Sequence, residues 1–332
     1  MLNVSVIGAG SFGTALSLVL LKKGYKVFLY DRNKEIVDSI NDERKNSKYL
    51  SNLILPEGIF ATCDIEEATY GTEYIILAVP SHVVRSISKI LKKFILKNQL
   101  IINVGKGIEE NSLKRLSEVI NEELPENDVV ILSGPSHAEE VSIGLPTALV
   151  AASRELNLSR RVQDLFMTPS LRIYTGDDIV GVETAGAVKN VIALCAGISD
   201  GMGFGDNAKA AIMTRGMNEI IRIGTKLGGK YETFMGLAGF GDLIVTCTSR
   251  HSRNRKCGFL IGSGYTLSQA LDEIGMVVEG IKACSAFYRL KEMLQVDMPI
   301  VDSLHRVIFE NYNVREIVHE LMTRDKKSEH YH

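Results

Sequence analysis

Residues 3–31 read NVSVIGAGSFGTALSLVLLKKGYKVFLYD, and this stretch decides the fold. A β-rich run leads into a Gly-x-Gly-x-x-Gly motif, a helical pattern follows, and a second β-rich run ends at Asp31. Gly8 permits the tight turn, Gly10 lets the backbone approach a pyrophosphate, and Gly13 lets helix and strand pack closely. The free N–H groups at the start of the helix can bind phosphate. In this context the motif predicts a dinucleotide-binding unit of the Rossmann type.

Two adjacent residues after the second strand bear on which nicotinamide cofactor is used. Asp31 can accept hydrogen bonds from a ribose 2′-hydroxyl, which favours NAD. Arg32 can stack on adenine or neutralise the 2′-phosphate of NADP. The sequence leaves NAD and NADP both open.

Short apolar runs alternate with helical stretches through the first half of the chain. The further β-like runs are 59–62, 74–79, 100–104, 129–132, 146–152 and 171–175, with helical stretches at 83–94, 113–124 and near 160–166. This alternation predicts a doubly wound, mostly parallel sheet, with ligands beyond the carboxyl ends of the strands. Residues just after strands are therefore candidates. Ser81 is expected to cap the next helix, Lys106 is a ligand or a solvated loop residue, and Ser136 is a ligand or an N-cap.

The segment 181–197, GVETAGAVKNVIALCAG, is apolar on nearly every face and predicts a helix buried on all sides, too short and glycine-rich to span a membrane. Lys189 is the only charge between Glu183 and Asp200. A buried lysine needs a partner and has a lowered pKa, which makes Lys189 a candidate proton acceptor and donor that Asn190 could orient. The alternative is a lysine that extends along its own stem to the surface.

Helical periodicity dominates beyond residue 181, with stretches at 208–224, 267–274, 281–294 and 303–309. Asp242 is the only ionisable acid or base between Gly236 and Ser249, so it either caps a helix or pairs with a buried lysine. The run 249–256, SRHSRNRK, carries four Lys and Arg residues and predicts a pocket for phosphate or carboxylate.

Bulk composition excludes several classes of protein. The 332 residues are 45% hydrophobic and 23% charged with a net charge of −2, which is typical of a globular protein with no general attraction to nucleic acid or anionic membrane. The five cysteines are scattered, without a Cys-x-x-Cys pair, and no carboxylate–His cluster is evident. We therefore expect free thiols, no metal, and a cytoplasmic protein that is not embedded in the membrane.

These features together indicate hydride transfer to or from a secondary alcohol. The transfer requires a base with a pKa near working pH, a role that suits Lys189, and a group that stabilises charge on oxygen. Lys106 suits this second role or anchors the substrate oxygens. Asp242 could tune the base. The alternatives are a related dehydrogenase that acts on a β-hydroxy acid through a Lys–Asn pair and a non-catalytic sensor of NAD(H).

Seven motifs spread over nearly the whole chain carry a resemblance to a known family. They are GAGSFGTAL at 8–16, VPSH at 79–82, KGIE at 106–109, SGPS at 133–136, GVExxGAxKNV from 181, GLAGxGDL at 236–243 and TCTSRxSRNR at 246–255. By these motifs the chain resembles the bacterial NAD(P)-dependent sn-glycerol-3-phosphate dehydrogenases. The resemblance implies reduction of dihydroxyacetone phosphate to glycerol 3-phosphate for phospholipid synthesis, in the cytoplasm and by a homodimer.

The resemblance also implies roles for individual residues. Lys189 would be the proton acceptor, with Lys106 and Asp242 completing the catalytic group. The substrate would be bound by Lys106, Gly134, Ser136, Lys189, Asp242, Ser252, Arg253 and Asn254. The cofactor would be bound by Gly8, Gly10, Ser11, Phe12, Gly13, Arg32, Lys106, Ala138, Arg253, Val277 and Glu279.

The chain departs from the family pattern at a few positions. Gly105 stands where Ser or Thr is usual, His137 where Phe is usual, and Ser51 where Pro is usual. None of these changes removes a charged catalytic group. The predicted organisation is a Rossmann-type domain at 1–180, a mostly α-helical catalytic domain at 181–324, and a polar tail at 325–332.

Overall fold

A computed structural model describes residues 2–326, 328 and 329. The first half of the chain forms one eight-stranded sheet with the order β3-β2-β1-β4-β5-β6-β7-β8. The strands are β1 Asn3–Ile7, β2 Lys26–Tyr30, β3 Ile59–Thr62, β4 Tyr74–Leu77, β5 Leu100–Asn103, β6 Val129–Ser133, β7 Thr147–Ala152 and β8 Leu171–Gly176. The predicted doubly wound sheet is confirmed, and the last two predicted strands extend it. All neighbours pair in parallel except β6 and β7.

Helices of this half cover both faces of the sheet, and two apolar clusters fill the layers. The helices are α1 Ser11–Lys22, α2 Lys34–Asp42, α3 Ile65–Thr69, α4 Val84–Leu91, α5 Leu116–Glu123, α6 Ala138–Ile143 and α7 Leu156–Phe166, with a 3-10 turn at Ser81–Val83. The helix predicted from residue 113 begins three residues later. Leu113 has a left-handed backbone (φ 58°), which a right-handed helix does not tolerate.

The second half is helical, as predicted. Its helices are α8 Ile179–Gly201, α9 Gly205–Lys226, α10 Tyr231–Met235, α11 Asp242–Thr248, α12 Arg253–Gly262, α13 Leu267–Ile274, α14 Glu279–Leu294, α15 Pro299–Phe309 and α16 Val314–Met322, with a π-helical turn at Leu237–Gly241. We propose the turn between β8 and α8 as the domain boundary. In the predicted polar tail, residues 327 and 330–332 lie outside the described residues.

Helix α8 is the axis of the helical half. Its 23 residues are apolar enough and, contrary to our expectation, long enough to span a membrane. However, 83% of its apolar 18-residue segment is buried inside the protein. Glycines let α12 cross it at backbone contact: a Cβ at Gly197 would lie 2.1 Å from the Arg255 carbonyl oxygen, and one at Gly258 2.0 Å from that of Leu194. This crossing fixes the start of α12, which carries the basic run, against the helix that carries Lys189.

Candidate active site

The glycine-rich turn has the shape that a dinucleotide requires. Gly8 has φ 111°, and a Cβ there would lie 2.6 Å from the Ala78 carbonyl oxygen. A Cβ at Gly13 would lie 2.0 Å from the Gly8 carbonyl oxygen, whereas one at Gly10 would meet no heavy atom within 4 Å. Among the described residues, no side chain caps α1, which starts at Ser11, so its first N–H groups are open to an anion. The residues present therefore fit a pyrophosphate bound at this turn.

Asp31 is used by its own loop. Its Oδ2 accepts a hydrogen bond from the Ala9 N–H at 3.0 Å, and its Oδ1 accepts one from the Asn33 N–H at 2.9 Å. The carboxylate thus stabilises the glycine-rich turn. Its remaining lone pairs could accept hydrogen bonds from a ribose. The neighbouring Arg32 is exposed and has no ion pair within the described part of the chain.

Three isolated charges from distant parts of the chain meet in one buried cluster. The Asp242 carboxylate accepts from the Lys189 Nζ at 2.9 Å through Oδ1 and from the Lys106 Nζ at 2.7 Å through Oδ2. Lys189 is only 5% exposed and Asp242 only 1%. Lys189 therefore does not extend to the surface, and Lys106 is not a solvated loop residue.

Asp242 reaches both lysines because it opens α11 instead of capping it. No side chain caps this helix, and Asp242 is its first residue, directly after the π-helical turn. Such turns are rare and are often found at functional sites. One helical turn later, the Thr246 hydroxyl accepts from Lys189 at 2.7 Å and donates to the Asp242 carbonyl oxygen at 2.6 Å. Thr246 was not predicted from the sequence, although its spacing of four from Asp242 could have indicated it.

The electrostatics of this cluster suit proton transfer. Burial, opposed by Asp242 and reinforced by Lys106, lowers the pKa of Lys189 from its ordinary value to about 8. Burial raises the pKa of Asp242, but the two lysines outweigh it and hold that pKa below its ordinary value. A lysine ammonium has three N–H donors. Two of those of Lys189 bind Asp242 and Thr246, which leaves one N–H for a ligand.

The segment after β6 completes the cluster on the Rossmann side. The Gly134 carbonyl oxygen accepts from the Lys106 Nζ at 2.7 Å and from the Ser136 hydroxyl at 2.9 Å. Ser136 is not a helix cap, since His137 occupies the N-cap position of α6. Ala138, a predicted cofactor contact, is the first residue of α6 and is buried.

We expected Asn190 to orient Lys189, but it does not. Consecutive residues of an α-helix point about 100° apart, so the two side chains do not face each other. The Asn190 Nδ2 donates to the Lys106 carbonyl oxygen at 3.3 Å, and the Asn190 Oδ1 accepts from the Asn254 Nδ2 at 2.9 Å. The Oδ1 of Asn254 in turn accepts from the Gly280 N–H at 2.9 Å. These two amides connect the Lys106 loop with the first turns of α12 and α14.

The basic run lies at the start of α12, and its members differ in what they can bind. Ser252 is the N-cap, and its hydroxyl accepts from the Arg255 N–H at 3.2 Å. The Arg255 guanidinium is paired with Asp200 at 2.6 Å, so it is not a free ligand for an anion. Arg253 is exposed and has no ion pair among the described residues. Fewer cations of this run are therefore available to bind an anion than the four that the sequence suggested, because Arg255 is already paired with Asp200.

A second contact between the two halves involves Glu279, a predicted cofactor contact at the start of α14. Its carboxylate accepts from the Ser81 N–H at 3.0 Å and from the Ser81 hydroxyl at 2.5 Å. The prediction that Ser81 caps the next helix is therefore wrong. A Cβ at Gly107 would lie 2.6 Å from the Ser81 Cβ, so this junction needs a glycine. Val277, also a predicted cofactor contact, lies just before the junction and is 36% exposed.

The departure at Gly105 has a local explanation. A Cβ there would lie 3.2 Å from the Leu116 Cδ1 and 3.3 Å from the Asn103 Oδ1, tighter than ordinary contacts. Any side chain at this position would have to displace these neighbours. Within the described residues, no group of three or more His, Cys, Asp or Glu side chains could hold a metal ion.

Family models match both halves of the chain. Residues 3–159 match the N-terminus of NAD-dependent glycerol-3-phosphate dehydrogenase, and residues 178–319 match its C-terminus. The chain belongs to the NAD-dependent glycerol-3-phosphate dehydrogenase family. This membership and the buried cluster favour the interpretation as a dehydrogenase over that as a cofactor sensor.

Relatives in this family cover the chain almost completely. It is 59% identical over 329 residues to a glycerol-3-phosphate dehydrogenase [NAD(P)+] of Clostridium botulinum, with 99% of each chain covered. It is 49% identical over 332 residues to that of Bacillus velezensis, with 99% of this chain and 96% of the relative covered. The crystal structure of glycerol-3-phosphate dehydrogenase from Coxiella burnetii superposes with a TM-score of 0.94 at 38% identity, covering 97% of this chain and 99% of that one.

Proposed function

We propose that this protein reversibly reduces dihydroxyacetone phosphate to sn-glycerol 3-phosphate with NADH or NADPH. One observation carries the proposal: Lys189 is buried in an ion-pair cluster, yet keeps one N–H without a partner in that cluster. A bound nicotinamide cofactor supplies the hydride for the reduction and accepts it in the reverse direction. The product is a precursor for glycerophospholipid synthesis.

In the reduction, the protonated Lys189 gives a proton to the oxygen that was the ketone oxygen. In the oxidation, neutral Lys189 takes the proton of the secondary hydroxyl group. A pKa of about 8 keeps both forms of Lys189 accessible near neutral pH, which is what a reversible acid–base group needs. Lys106, held at 2.7 Å from Asp242, keeps a second positive charge beside the same oxygen and stabilises the charge that develops there.

The phosphate group of the substrate would be held by Ser252, Arg253 and Asn254. Two features support this assignment: the exposed guanidinium of Arg253 is not consumed by an ion pair among the described residues, and Asn254 is tied through Asn190 to the Lys106 loop. The glycine-rich turn, the start of α1 and Arg32 would hold the dinucleotide, with Glu279, Val277 and Ala138 at the crevice between the halves.

The proposal is tested with purified protein and a panel of carbonyl substrates. We expect oxidation of NADH or NADPH with dihydroxyacetone phosphate, and no comparable rate with a 3-keto acid that lacks phosphate. Turnover of the keto acid without turnover of dihydroxyacetone phosphate would favour the β-hydroxyacid-type dehydrogenase instead. Running the assay with each cofactor in turn also determines the preference that Asp31 and Arg32 leave open.

We also propose that the enzyme works as a homodimer in the cytoplasm. The five cysteines are all free thiols, which supports a reducing compartment. Light scattering coupled to size-exclusion chromatography measures the oligomeric state, and a mass of one chain would contradict the dimer.

A further inference from the structure

A buried ring nitrogen beside the candidate active site has no hydrogen-bond partner among the described residues. The Nε2 of His137 is inaccessible to solvent and has no hydrogen-bond partner within the described residues. His137 directly follows Ser136 and precedes α6. Its ring lies 5.8 Å, centroid to centroid, from that of His251, the residue before the proposed phosphate-binding segment. Buried polar atoms are seldom left unpaired, and an unpaired one at a functional site calls for a ligand.

The surroundings of His137 keep its imidazole neutral. Burial lowers its pKa below the ordinary value, and Lys189 and Lys106 act in the same direction. The backbone of Val245 and the charge of Glu139 oppose them. Val245 lies on α11, directly before Thr246. In a neutral imidazole one ring nitrogen is a donor and the other an acceptor, so Nε2, which is unpaired among the described residues, accepts a hydrogen bond in the tautomer protonated at Nδ1.

The substrate supplies a matching group. Dihydroxyacetone phosphate has three polar parts: the phosphate, the ketone and one free hydroxyl group. The phosphate has been assigned to residues 252–254, and the ketone oxygen to Lys189 and Lys106. Neither assignment uses the free hydroxyl group, which is a hydrogen-bond donor.

We propose that the Nε2 atom of His137 accepts a hydrogen bond from the free hydroxyl group of the substrate, which makes His137 a specificity-determining residue. This inference rests on the proposed function. It deepens that function, because a phenylalanine, the usual residue of the family at this place, offers no acceptor. A site built to bind a hydroxyl group discriminates against the analogue that lacks it.

The test pairs two substrates with three proteins. The substrates are dihydroxyacetone phosphate and hydroxyacetone phosphate, which has a methyl group in place of the hydroxymethyl group. The proteins are the wild type, His137→Phe, which removes the acceptor and keeps a planar ring, and His137→Asn, which keeps an acceptor. The measured quantity is kcat/KM for each pair, with the cofactor Kd and the Tm recorded for each protein.

We expect the wild type to prefer dihydroxyacetone phosphate by about 10-fold or more. In His137→Phe, kcat/KM for dihydroxyacetone phosphate should fall about 10-fold while that for the deoxy analogue stays within about 2-fold, and His137→Asn should recover part of the preference. An unchanged preference in His137→Phe, or an equal loss for both substrates, would overturn the inference. Absence of activity with dihydroxyacetone phosphate in the wild type would instead refute the proposed function.

Discussion

Asp242→Asn is the change that most directly probes the electrostatics of the active site. The amide keeps the size and one oxygen acceptor of the carboxylate but removes its charge. At an effective dielectric constant of about 20, unit charges 2.9 Å apart attract by roughly 6 kcal/mol, the separation being that between Asp242 Oδ1 and Lys189 Nζ. At about 1.4 kcal/mol per pKa unit, this sets an upper limit of about four units. Measured effects of one neighbouring charge are about 1–3 units.

The direction of the shift follows from the sign of the lost charge. Asp242 favours the protonated form of Lys189, and its loss leaves burial and Lys106 unopposed, so the pKa of Lys189 must fall from about 8. Oxidation of glycerol 3-phosphate needs neutral Lys189, and its rate should rise with pH through this pKa. Reduction needs protonated Lys189, and its rate should decline through the same pKa. In Asp242→Asn both profiles should move down by about 1–3 pH units.

The assay measures kcat/KM for the reduction and for the oxidation as a function of pH between about pH 5 and 10. A shift of two units would leave about a tenth of Lys189 protonated at pH 7 and slow the reduction there about 10-fold from protonation alone.

The matched control is Glu219→Gln. Glu219 is also a buried acid, but it binds the N–H groups of Ile300 and Val301. Its loss should lower the Tm without moving the profile. An unchanged or upward-shifted profile in Asp242→Asn would show that Asp242 does not set the pKa of Lys189.

Three further changes test the parts of the site separately. Arg253→Ala should raise the KM for dihydroxyacetone phosphate about 10-fold with kcat nearly unchanged, because it removes a phosphate ligand; equal KM values in initial-rate assays would exclude that role. Arg32→Ala should raise the KM for NADPH about 10-fold and that for NADH less than about 3-fold, and equal effects would mean that Arg32 does not bind the 2′-phosphate. Gly197→Ala would place a Cβ 2.1 Å from the Arg255 carbonyl oxygen. It should therefore destabilise the protein by about 1–3 kcal/mol in chemical denaturation and raise the substrate KM by displacing α12, and unchanged stability would show that the helices can separate freely.

Much of this architecture could be predicted from local sequence. The Gly-x-Gly-x-x-Gly motif sits between strand and helix because only glycine fits Gly8 and Gly13, and the alternation of elements follows from periodicity. Isolated charges in apolar surroundings were also informative. A buried charge requires a partner, and Lys189 and Lys106 share one partner, the carboxylate of Asp242. Lone charges thus report contacts across the fold.

The features that sequence reasoning missed depend on orientation and on pairing between distant residues. The pairing of Ser81 with Glu279, for example, joins residues 198 positions apart. The ion pair that removes Arg255 from the anion pocket likewise joins different helices. The antiparallel pairing of β6 with β7 escaped prediction because a buried strand has the same apolar pattern in either direction.

The Lys189→Ala variant shows whether Lys189 transfers the proton. We expect kcat for the reduction of dihydroxyacetone phosphate to fall about 10²-fold or more, with cofactor Kd, measured by fluorescence titration, within about 2-fold of the wild type. A variant that binds the cofactor normally and still turns over within about 3-fold of the wild-type kcat would contradict the account, whatever the other site residues do.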